Sequence, residues 1–394
     1  MDRWTGVISL GNCWNYNLRI AYYYYMPENP KQSLESQLKM ARPQRAEVKR
    51  VPLTSEEKEF LGKIMDKAVA AEKAGKLQEA LDLYTDYKNE LLKIKGKKES
   101  EKTFELKEQY EDQIETLKKN GLIEKLPSGE LGFIDIKDQP RPIPSYDDIL
   151  KRVEAKKELL EKKREQGFTQ LLIVPFGMKL SDIIEKAKEL IIKKHKERNL
   201  KGTNGDLLEL KEEKGEKKPI WLAEGYKGGE VDIGGDSDLV YYPEKYDKEN
   251  HGGKTKEKII ENTDGWEVMF IEDLPDLPAE GKGRTVGERK QLEANKSPEQ
   301  YLEKMQTDPQ YKGESGMTPE AELVYFMHYL QKNNKGIDDY QGSGKVNWNL
   351  AGYLKSAGGV GCFYWNRGNG RLLLDWSSPD YRFDFRGARS SARI

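Results

Sequence analysis

The sequence changes character at Phe168, and this change limits the architectures that the chain can adopt. Before Phe168, apolar residues recur at helical spacing within Lys- and Glu-rich segments, as at Phe60, Ile64 and Ala68 after the capping residue Thr54. After Phe168, short apolar runs alternate with Gly- and Asp-rich loops, which is the pattern of short β-strands. A set of helices followed by a set of strands predicts an α+β protein with its helical region first.

The helical region predicts one helix–turn–helix unit. Gly75 separates two amphipathic helices, and the second helix carries Leu77, Ala80 and Tyr84 on one face. The pair resembles a single tetratricopeptide-type hairpin. Because a solenoid needs about three such repeats, we interpret the pair as an assembly or partner-docking module, for self-association or a helper protein. A third helix is predicted over about residues 100–120.

Shifts in composition predict four segments. The Pro-rich stretch that contains Pro140, Pro142 and Pro144 is the best candidate for a linker, because proline prevents helix and weakens sheet. The segments are an aromatic and basic leader at 1–50, interpreted as strand or poorly ordered; a charged helical hairpin region with a small β-hairpin at 51–138; the Pro-rich linker and a helix at 139–167; and one domain at 168–394.

The balance of charged and apolar residues excludes several classes of protein. Among 394 residues, 67 Lys and Arg face 68 Asp and Glu, so the net charge of −1 gives no overall field that attracts nucleic acid or anionic lipid. The hydrophobic fraction of 36% argues against a single large enzyme core. No membrane span or secretory signal is recognised, so a cytoplasmic location is the default. Cys13 and Cys362 make no disulfide framework.

No motif in the sequence supports catalysis or a bound metal. Gly281, Gly283 and Gly287 follow a Pro- and Asp-rich loop instead of a strand, so they do not make a nucleotide-binding loop. Asp232 and Asp236 lack the spacing of a calcium loop and are interpreted as part of a solvated turn. We therefore predict no catalytic residue, no cofactor and no metal site, and a protein that is not an enzyme.

The last 39 residues differ from the rest of the chain because they contain neither Lys nor Glu. Arginine and aromatic residues, which contribute much of the binding energy at protein interfaces, are abundant there. The alternative is that these aromatics form the core of a β subdomain. In a strand, Phe383 and Phe385 would share one face while Asp384 and Arg386 share the other, which favours an interface. The arginines are Arg367, Arg371, Arg382, Arg386, Arg389 and Arg393, and the aromatics are Phe363, Tyr364, Trp365, Trp376, Tyr381, Phe383 and Phe385.

Several short motifs follow one another over about 100 C-terminal residues. An aromatic strand at 362–365 comes before a Gly-Arg-Leu run, a Pro-Asp-Tyr-Arg turn, and an ending that carries Gly387, Ala388, Arg389 and Arg393. Further motifs lie upstream, at 297–302, 313–320 and 337–342. In this order, the motifs resemble the target (variable) proteins of diversity-generating retroelements.

The resemblance implies a C-type-lectin-like α+β domain of the formylglycine-generating-enzyme type over about residues 168–394, with a variable region at about 359–394. In that family, adenine-directed mutagenesis rewrites one surface that binds protein ligands, generally without calcium. Asparagine codons with randomised adenines never yield Lys or Glu, which fits this segment. Gly387, Ala388, Arg389 and Arg393 are interpreted as scaffold. Adenine changes in asparagine codons cannot produce Trp365 and Trp376, which are therefore interpreted as packing residues or as residues of another codon origin. The candidate variable, ligand-facing residues are Cys362, Phe363, Tyr364, Asn366, Asn369, Leu372, Leu374, Ser377, Asp380, Tyr381, Phe383, Asp384 and Phe385.

Two other functions remain open from the sequence. A degenerate relative of lectin-fold modifying enzymes is one, although the chain lacks a cysteine pair suited to that chemistry. The other is a nucleic-acid binder that uses the C-terminal arginines and stacked aromatics. Asp375, Asp380 and Asp384 are interleaved with those arginines and disfavour a nucleic-acid partner. The preferred prediction is a binding protein whose C-terminal surface recognises a protein ligand.

Overall fold

The computed structural model describes residues 30–43, 53–213, 215–226 and 231–394. Contacts between residues divide the chain into two compact units, one before and one after the boundary between Thr103 and Phe104. The described residues combine α-helices with β-strands, and the N-terminal region is helical. The predicted α+β class and its helical N-terminal region are therefore confirmed. Cys13 and the tyrosine run at 22–25 lie outside the described residues.

The helices of the described residues are set by local signals. Thr54, Ser145 and Ser297 each accept a hydrogen bond from a backbone N–H of the first turn in a complete capping box, and Thr318 caps a helix that begins with Pro319. The α-helices are α1 (Pro30–Ala41), α2 (Ser55–Lys73), α3 (Leu77–Lys119), α4 (Tyr146–Ala155), α5 (Lys157–Glu165), α6 (Leu180–Lys196), α7 (Lys256–Ile260), α8 (Pro298–Thr307) and α9 (Pro319–Asn333).

The first unit contains the predicted helix–turn–helix pair, which consists of α2 and the part of α3 before Phe104. Gly75 has a φ of +73° between them, a conformation that glycine adopts without strain. Two expectations are wrong here. Helix α1 occupies part of the predicted leader, where Leu38 packs against Ala68 and Tyr84 of the hairpin. The predicted break before the third helix is also absent, because α3 continues through Gly96, and one interior glycine costs a helix only about 1 kcal/mol.

The strands of the described residues belong mainly to two larger sheets. The strands are β1 (Glu124–Lys125), β2 (Leu131–Ile134), β3 (Pro140–Pro142), β4 (Phe168–Val174), β5 (Glu212–Glu213), β6 (Glu216–Lys217), β7 (Ile220–Leu222), β8 (Leu239–Tyr241), β9 (Glu267–Glu272), β10 (Thr285–Val286), β11 (Arg289–Lys290), β12 (Ser315–Gly316), β13 (Asp339–Tyr340), β14 (Val346–Leu354), β15 (Gly359–Asn366), β16 (Arg371–Ser377), β17 (Arg386–Ala388) and β18 (Ser390–Arg393). The four-stranded sheet has the order β12-β18-β9-β4. The seven-stranded sheet has the order β17-β14-β15-β16-β7, with β8 attached through β14 and β13 through β15.

The Pro-rich stretch differs from the predicted linker. It forms β3, which pairs with β2 so that Arg141 lies opposite Phe133. Proline is tolerated because β3 is an edge strand and needs no further backbone donor. Arg141 also donates through Nε to the buried carboxylate of Asp135 at 2.7 Å. The segment therefore packs within the second unit, which extends from Phe104 instead of beginning at Phe168.

Helix α9 is the centre of the second unit. It contacts α6, strand β4 of the four-stranded sheet, and strands β14 and β15 of the seven-stranded sheet. One large hydrophobic cluster joins these elements and includes Leu171, Ile184, Phe326 and Phe363. A second cluster, around Trp348 and Tyr301, covers the opposite face of the seven-stranded sheet. Both faces of β14 and β15, and of the middle of β16, are consequently buried in protein.

Within the described part of the chain, no helix combines the length and the apolar content needed to cross a membrane.

Candidate ligand-binding surface

Strands β15 and β16 position the C-terminal segment. They form an antiparallel hairpin in which Val360 pairs with Ser377 at one end and Asn366 with Arg371 at the other. The side-chain oxygen of Asn366 accepts the backbone N–H of Asn369 at 2.9 Å and stabilises the turn between the strands. Beyond β16, residues 378–385 form an irregular segment that leads into β17.

Five of the candidate ligand-facing residues are buried, and for them the sequence prediction is wrong. The side chains of Phe363, Leu372 and Leu374 belong to the cluster around α9, whereas Cys362 and Tyr364 belong to the cluster on the other face of the sheet. The prediction took these positions as ligand-facing because randomised asparagine codons can encode the residues found there. Because both faces are covered, alternate side chains enter one core or the other.

The other eight candidates are accessible to solvent. Asn369, Asp380, Tyr381 and Asp384 are exposed, and Asn366, Ser377, Phe383 and Phe385 are partly buried. Six of these eight lie in the continuous stretch 377–385. The predicted strand over Phe383 and Phe385 is absent, because both residues lie in a turn region, yet their rings still contact each other with centroids 5.2 Å apart.

A chain of ring contacts connects this stretch to the sheet. Tyr381 contacts Phe383 at 6.0 Å between centroids, and Phe385 contacts Tyr340 at 5.1 Å. Tyr340 in turn contacts the largely buried Tyr364 at 5.8 Å. We call these five residues, Tyr340, Tyr364, Tyr381, Phe383 and Phe385, the aromatic ridge. Edge-to-face and tilted pairs of this kind hold exposed rings in fixed positions at low entropic cost.

Sequence reasoning missed Tyr340 and Arg386 as parts of this surface. Tyr340 comes from β13, which pairs in parallel with the end of β15 so that Tyr340 lies opposite Asn366. Its position in the motif at 337–342 was the only signal that could have indicated it. The guanidinium of Arg386 lies over the rings of Trp348 and Phe383, at 4.7 and 4.5 Å from their centroids.

The residues interpreted as scaffold support the surface from beneath. Gly387, Ala388 and Arg389 are buried. The guanidinium of Arg389 donates to both carboxylate oxygens of Asp338, and its Nη2 also donates to the carbonyl of Pro275 at 2.8 Å. These contacts, made from the residue that follows β17, fix the end of the exposed stretch. Arg393 lies over the ring of Tyr242, 3.7 Å from its centroid.

The two tryptophans have packing roles, as interpreted from the sequence. Trp365 is fully buried. Trp376 is partly buried, and its ring lies so close to Gly359 that a Cβ atom there would be 2.4 Å from it. A side chain at position 359 would therefore displace Trp376.

Glu322 makes the scaffold sensitive to pH. Arg389 carries one positive charge and forms its paired hydrogen bonds with Asp338, whereas its Nη1 is 3.6 Å from Glu322. Burial raises the pKa of the Glu322 carboxyl to about 8, against the opposing effect of Arg389. The Glu322 carboxyl of the folded protein therefore keeps its proton over a pH range in which the same group of the unfolded chain releases it.

Replacing Glu322 with Gln is expected to flatten the dependence of stability on pH. Between about pH 4.5 and 8 the folded wild type binds more protons at this position than the unfolded chain, so its stability falls as pH rises. Gln cannot titrate, and the stability of Glu322→Gln relative to wild type should increase from about pH 5 to about pH 8. Urea unfolding at both values measures the difference. Glu280→Gln, at an exposed position, is the control, and a parallel pH dependence of wild type and Glu322→Gln would contradict the assignment.

The surroundings of the titratable groups bear on the enzyme alternative. Cys362 is fully buried, and burial raises the pKa of its thiol to about 12, which suppresses the thiolate needed for nucleophilic chemistry. His328 is also buried and lies within 3.2 Å of the Gln113 side chain. Asp232 was expected to lie in a solvated turn, but it is buried and paired with Lys256. Among the described residues, no three His, Cys, Asp or Glu side chains are grouped so that they could hold a metal ion.

The C-terminal arginines bear on the nucleic-acid alternative. Arg367 donates through Nε to Asp339 at 2.8 Å, and Arg389 is paired with Asp338. Arg382 donates to the side chain of Asn295 at 2.9 Å and is 3.7 Å from Glu280. These guanidinium groups are already neutralised by protein carboxylates, which leaves less charge for a phosphate backbone.

Comparison of the chain with protein-family models, with curated proteins and with solved structures gave no match.

Proposed function

We propose that this protein is a non-enzymatic ligand-binding protein of the type found in diversity-generating retroelements. Its C-terminal region would form a lectin-like α+β domain of the formylglycine-generating-enzyme type, and its variable positions would recognise protein ligands. The helices before Thr103 would serve as an assembly or partner-docking module. The observation that carries the proposal is the accessible stretch 377–385, which runs from the end of β16 to β17 and contains Tyr381, Phe383 and Phe385 of the aromatic ridge.

The accessible residues have the chemistry of a protein-binding surface. Tyr381, Phe383 and Phe385 offer large apolar area with few rotatable bonds, and Asp380 and Asp384 alternate with them as polar groups. The buried ion pair of Arg389 and Asp338 fixes the stretch at its C-terminal end, so substitutions within the stretch leave the fold in place. A surface that tolerates substitution on a fixed scaffold is what diversification requires.

The revised surface has eight variable positions. They are the thirteen predicted positions without the five buried residues: Asn366, Asn369, Ser377, Asp380, Tyr381, Phe383, Asp384 and Phe385. Substitution of the five buried residues would disturb a hydrophobic core, so diversification there would produce many unfolded products.

The DNA around the coding sequence tests this proposal. We expect a nearby, near-identical repeat of the region that encodes residues 359–394, together with a gene for a reverse transcriptase. Differences between repeat and coding sequence should occur at adenines of the repeat and should fall at the codons of the eight accessible positions. The codons for the five buried residues, Cys362, Phe363, Tyr364, Leu372 and Leu374, should be unchanged and serve as the internal control. Absence of both the repeat and the reverse transcriptase gene would contradict diversification.

A further inference from the structure

Arg386 is held in an aromatic cage at the base of the exposed stretch. Its guanidinium carbon is 4.7 Å from the ring centroid of Trp348, 4.5 Å from that of Phe383 and 5.8 Å from that of Phe385. Arg386 begins β17, where it pairs with Val346, and its backbone N–H donates to the carbonyl of Phe383 at 3.1 Å. Backbone and rings together fix the position of the charge.

Among the described residues, the charge in this cage has no counter-ion. The Nε and Nη1 atoms of Arg386 are buried, and no described residue supplies an acceptor for either atom. The indole Nε1 of Trp348, whose ring packs against Arg386, also has no acceptor among the described residues. Stacking on rings satisfies the face of a guanidinium but not the N–H groups at its edge. Buried donors without acceptors are costly, and more so when charged.

Nearby carboxylates of the chain do not fill this role. Asp375 lies opposite Cys362 in the register of β15 and β16, and one of its oxygens accepts the backbone N–H of Trp376 at 2.8 Å. No ion pair joins Asp375 to Arg386 within the described residues, although both act electrostatically on the Cys362 thiol. Arg367 and Arg389 differ in this respect, because each has a buried aspartate as its partner. The side chain of Arg386 is only partly buried as a whole, so a ligand group can approach it.

We propose that Arg386 binds a carboxylate of the protein ligand, either a side-chain carboxylate or a C-terminal one. This inference rests on the proposed function, because it takes the accessible stretch as the ligand surface. A carboxylate that approaches the accessible part of the guanidinium supplies an acceptor and a counter-charge to this largely desolvated group, and a charge-assisted hydrogen bond is strong in such a site. Arg386 is not among the eight variable positions, whereas Phe383 and Phe385 of its cage are. Variants would thus share one basic anchor, Arg386, for an acidic group of the ligand and differ in the aromatic and polar groups around it.

The titration of small carboxylates onto the full-length protein tests the inference without a known ligand. Protein labelled with ¹⁵N-arginine is titrated with acetate, and the Nε–H signal of Arg386 is assigned by its loss in Arg386→Gln. Acetate is expected to shift this signal saturably, whereas neutral acetamide should not. The α-amide of N-acetylglutamate, with only a side-chain carboxylate, and N-acetylglycine, with only a C-terminal one, distinguish the two sources by their relative affinities.

Two variants serve as controls. Arg382→Gln removes an exposed arginine four residues away and should leave the acetate titration of Arg386 unchanged. Phe383→Ala opens the cage to water and should weaken acetate binding by about tenfold or more, because the guanidinium becomes hydrated. Because Phe383 is only partly buried, we expect Phe383→Ala to remain folded, and a urea unfolding curve of this variant checks that it is.

The outcomes separate this inference from the proposed function. Equal shifts with acetate and acetamide, or no saturation with acetate, overturn the carboxylate site even if the DNA shows diversified codons. Saturation with inorganic phosphate at lower concentration than acetate also overturns it and favours a phosphate-bearing partner. Saturable acetate binding without any repeat in the DNA would leave the carboxylate site in place and contradict diversification alone.

Discussion

Replacement of Arg389 by methionine is expected to lower the free energy of unfolding of the unit 104–394 by about 3–5 kcal/mol. Arg389 is buried and donates to both carboxylate oxygens of Asp338 and to the carbonyls of Leu274 and Pro275. Methionine retains much of the apolar volume, but it leaves Asp338 buried without a counter-ion. The loss is large because the remaining carboxylate must either stay charged in a poor solvent or take up a proton.

Urea unfolding followed by tryptophan fluorescence measures this effect, because five of the seven tryptophans lie in the unit 104–394. The matched control is Arg382→Met, at an exposed arginine, for which we expect a change within about 0.5 kcal/mol. The double variant Arg389→Met with Asp338→Asn should be more stable than Arg389→Met alone, since it leaves no unpaired charge and asparagine tolerates the φ of 52° at this position. A double variant that is no more stable than the single one would show that the ion pair is not the cause.

Truncation of Phe363 to alanine is expected to cost about 3–5 kcal/mol, whereas truncation of Tyr381 should cost less than about 0.5 kcal/mol. Both residues were predicted from the sequence to face the ligand. Phe363 is fully buried, and its ring contacts that of Phe326 in α9 at 5.7 Å between centroids. Tyr381 is 53% exposed and contacts Phe383 at its edge. The difference in the free energy of unfolding between the two variants therefore distinguishes a predicted ligand-facing residue that lies in the core from one that meets solvent.

Midpoints in urea, with unchanged slopes, give the two free energies. Leu374→Ala is a second buried variant and should lose about 2–5 kcal/mol, and Asp384→Ala is a second exposed variant that should behave like Tyr381→Ala. Similar losses for Phe363→Ala and Tyr381→Ala would mean that the exposed stretch is part of the core, and would remove the basis of the proposed ligand surface.

Local signals in the sequence predicted the elements well. Thr54, which the sequence indicates as a capping residue, begins a helix because its side-chain oxygen satisfies a backbone donor three residues later. Ser297 and Thr318 begin helices in the same way. The apolar run 171–174 is likewise a buried strand, within β4. Helix α3 was misjudged because Gly96 weakens a helix without ending it, and β3 because an edge strand accepts proline.

The orientation of side chains could not be predicted in the same way. Residues 359–365 have no alternation of polar and apolar residues, since both faces of β15 are covered, so the sequence does not reveal which side chain enters which core. The partners of the buried charges are distant in sequence, as with Arg389 and Asp338. The aromatic cage of Arg386 was missed for a related reason, because one of its rings, Trp348, belongs to β14 and is distant in sequence.

The position of β18 has a consequence for any process that rewrites the preceding codons. β18 lies inside the four-stranded sheet, where it joins β12 to β9, and it follows the exposed stretch in the chain. A frameshift or a stop codon introduced into the stretch would remove β18 and leave β12 and β9 without a common neighbour. Such products would not complete the sheet and would be open to proteolysis. Folding would thereby select chains that are translated in frame through the rewritten segment, because only these chains complete the sheet and resist proteolysis.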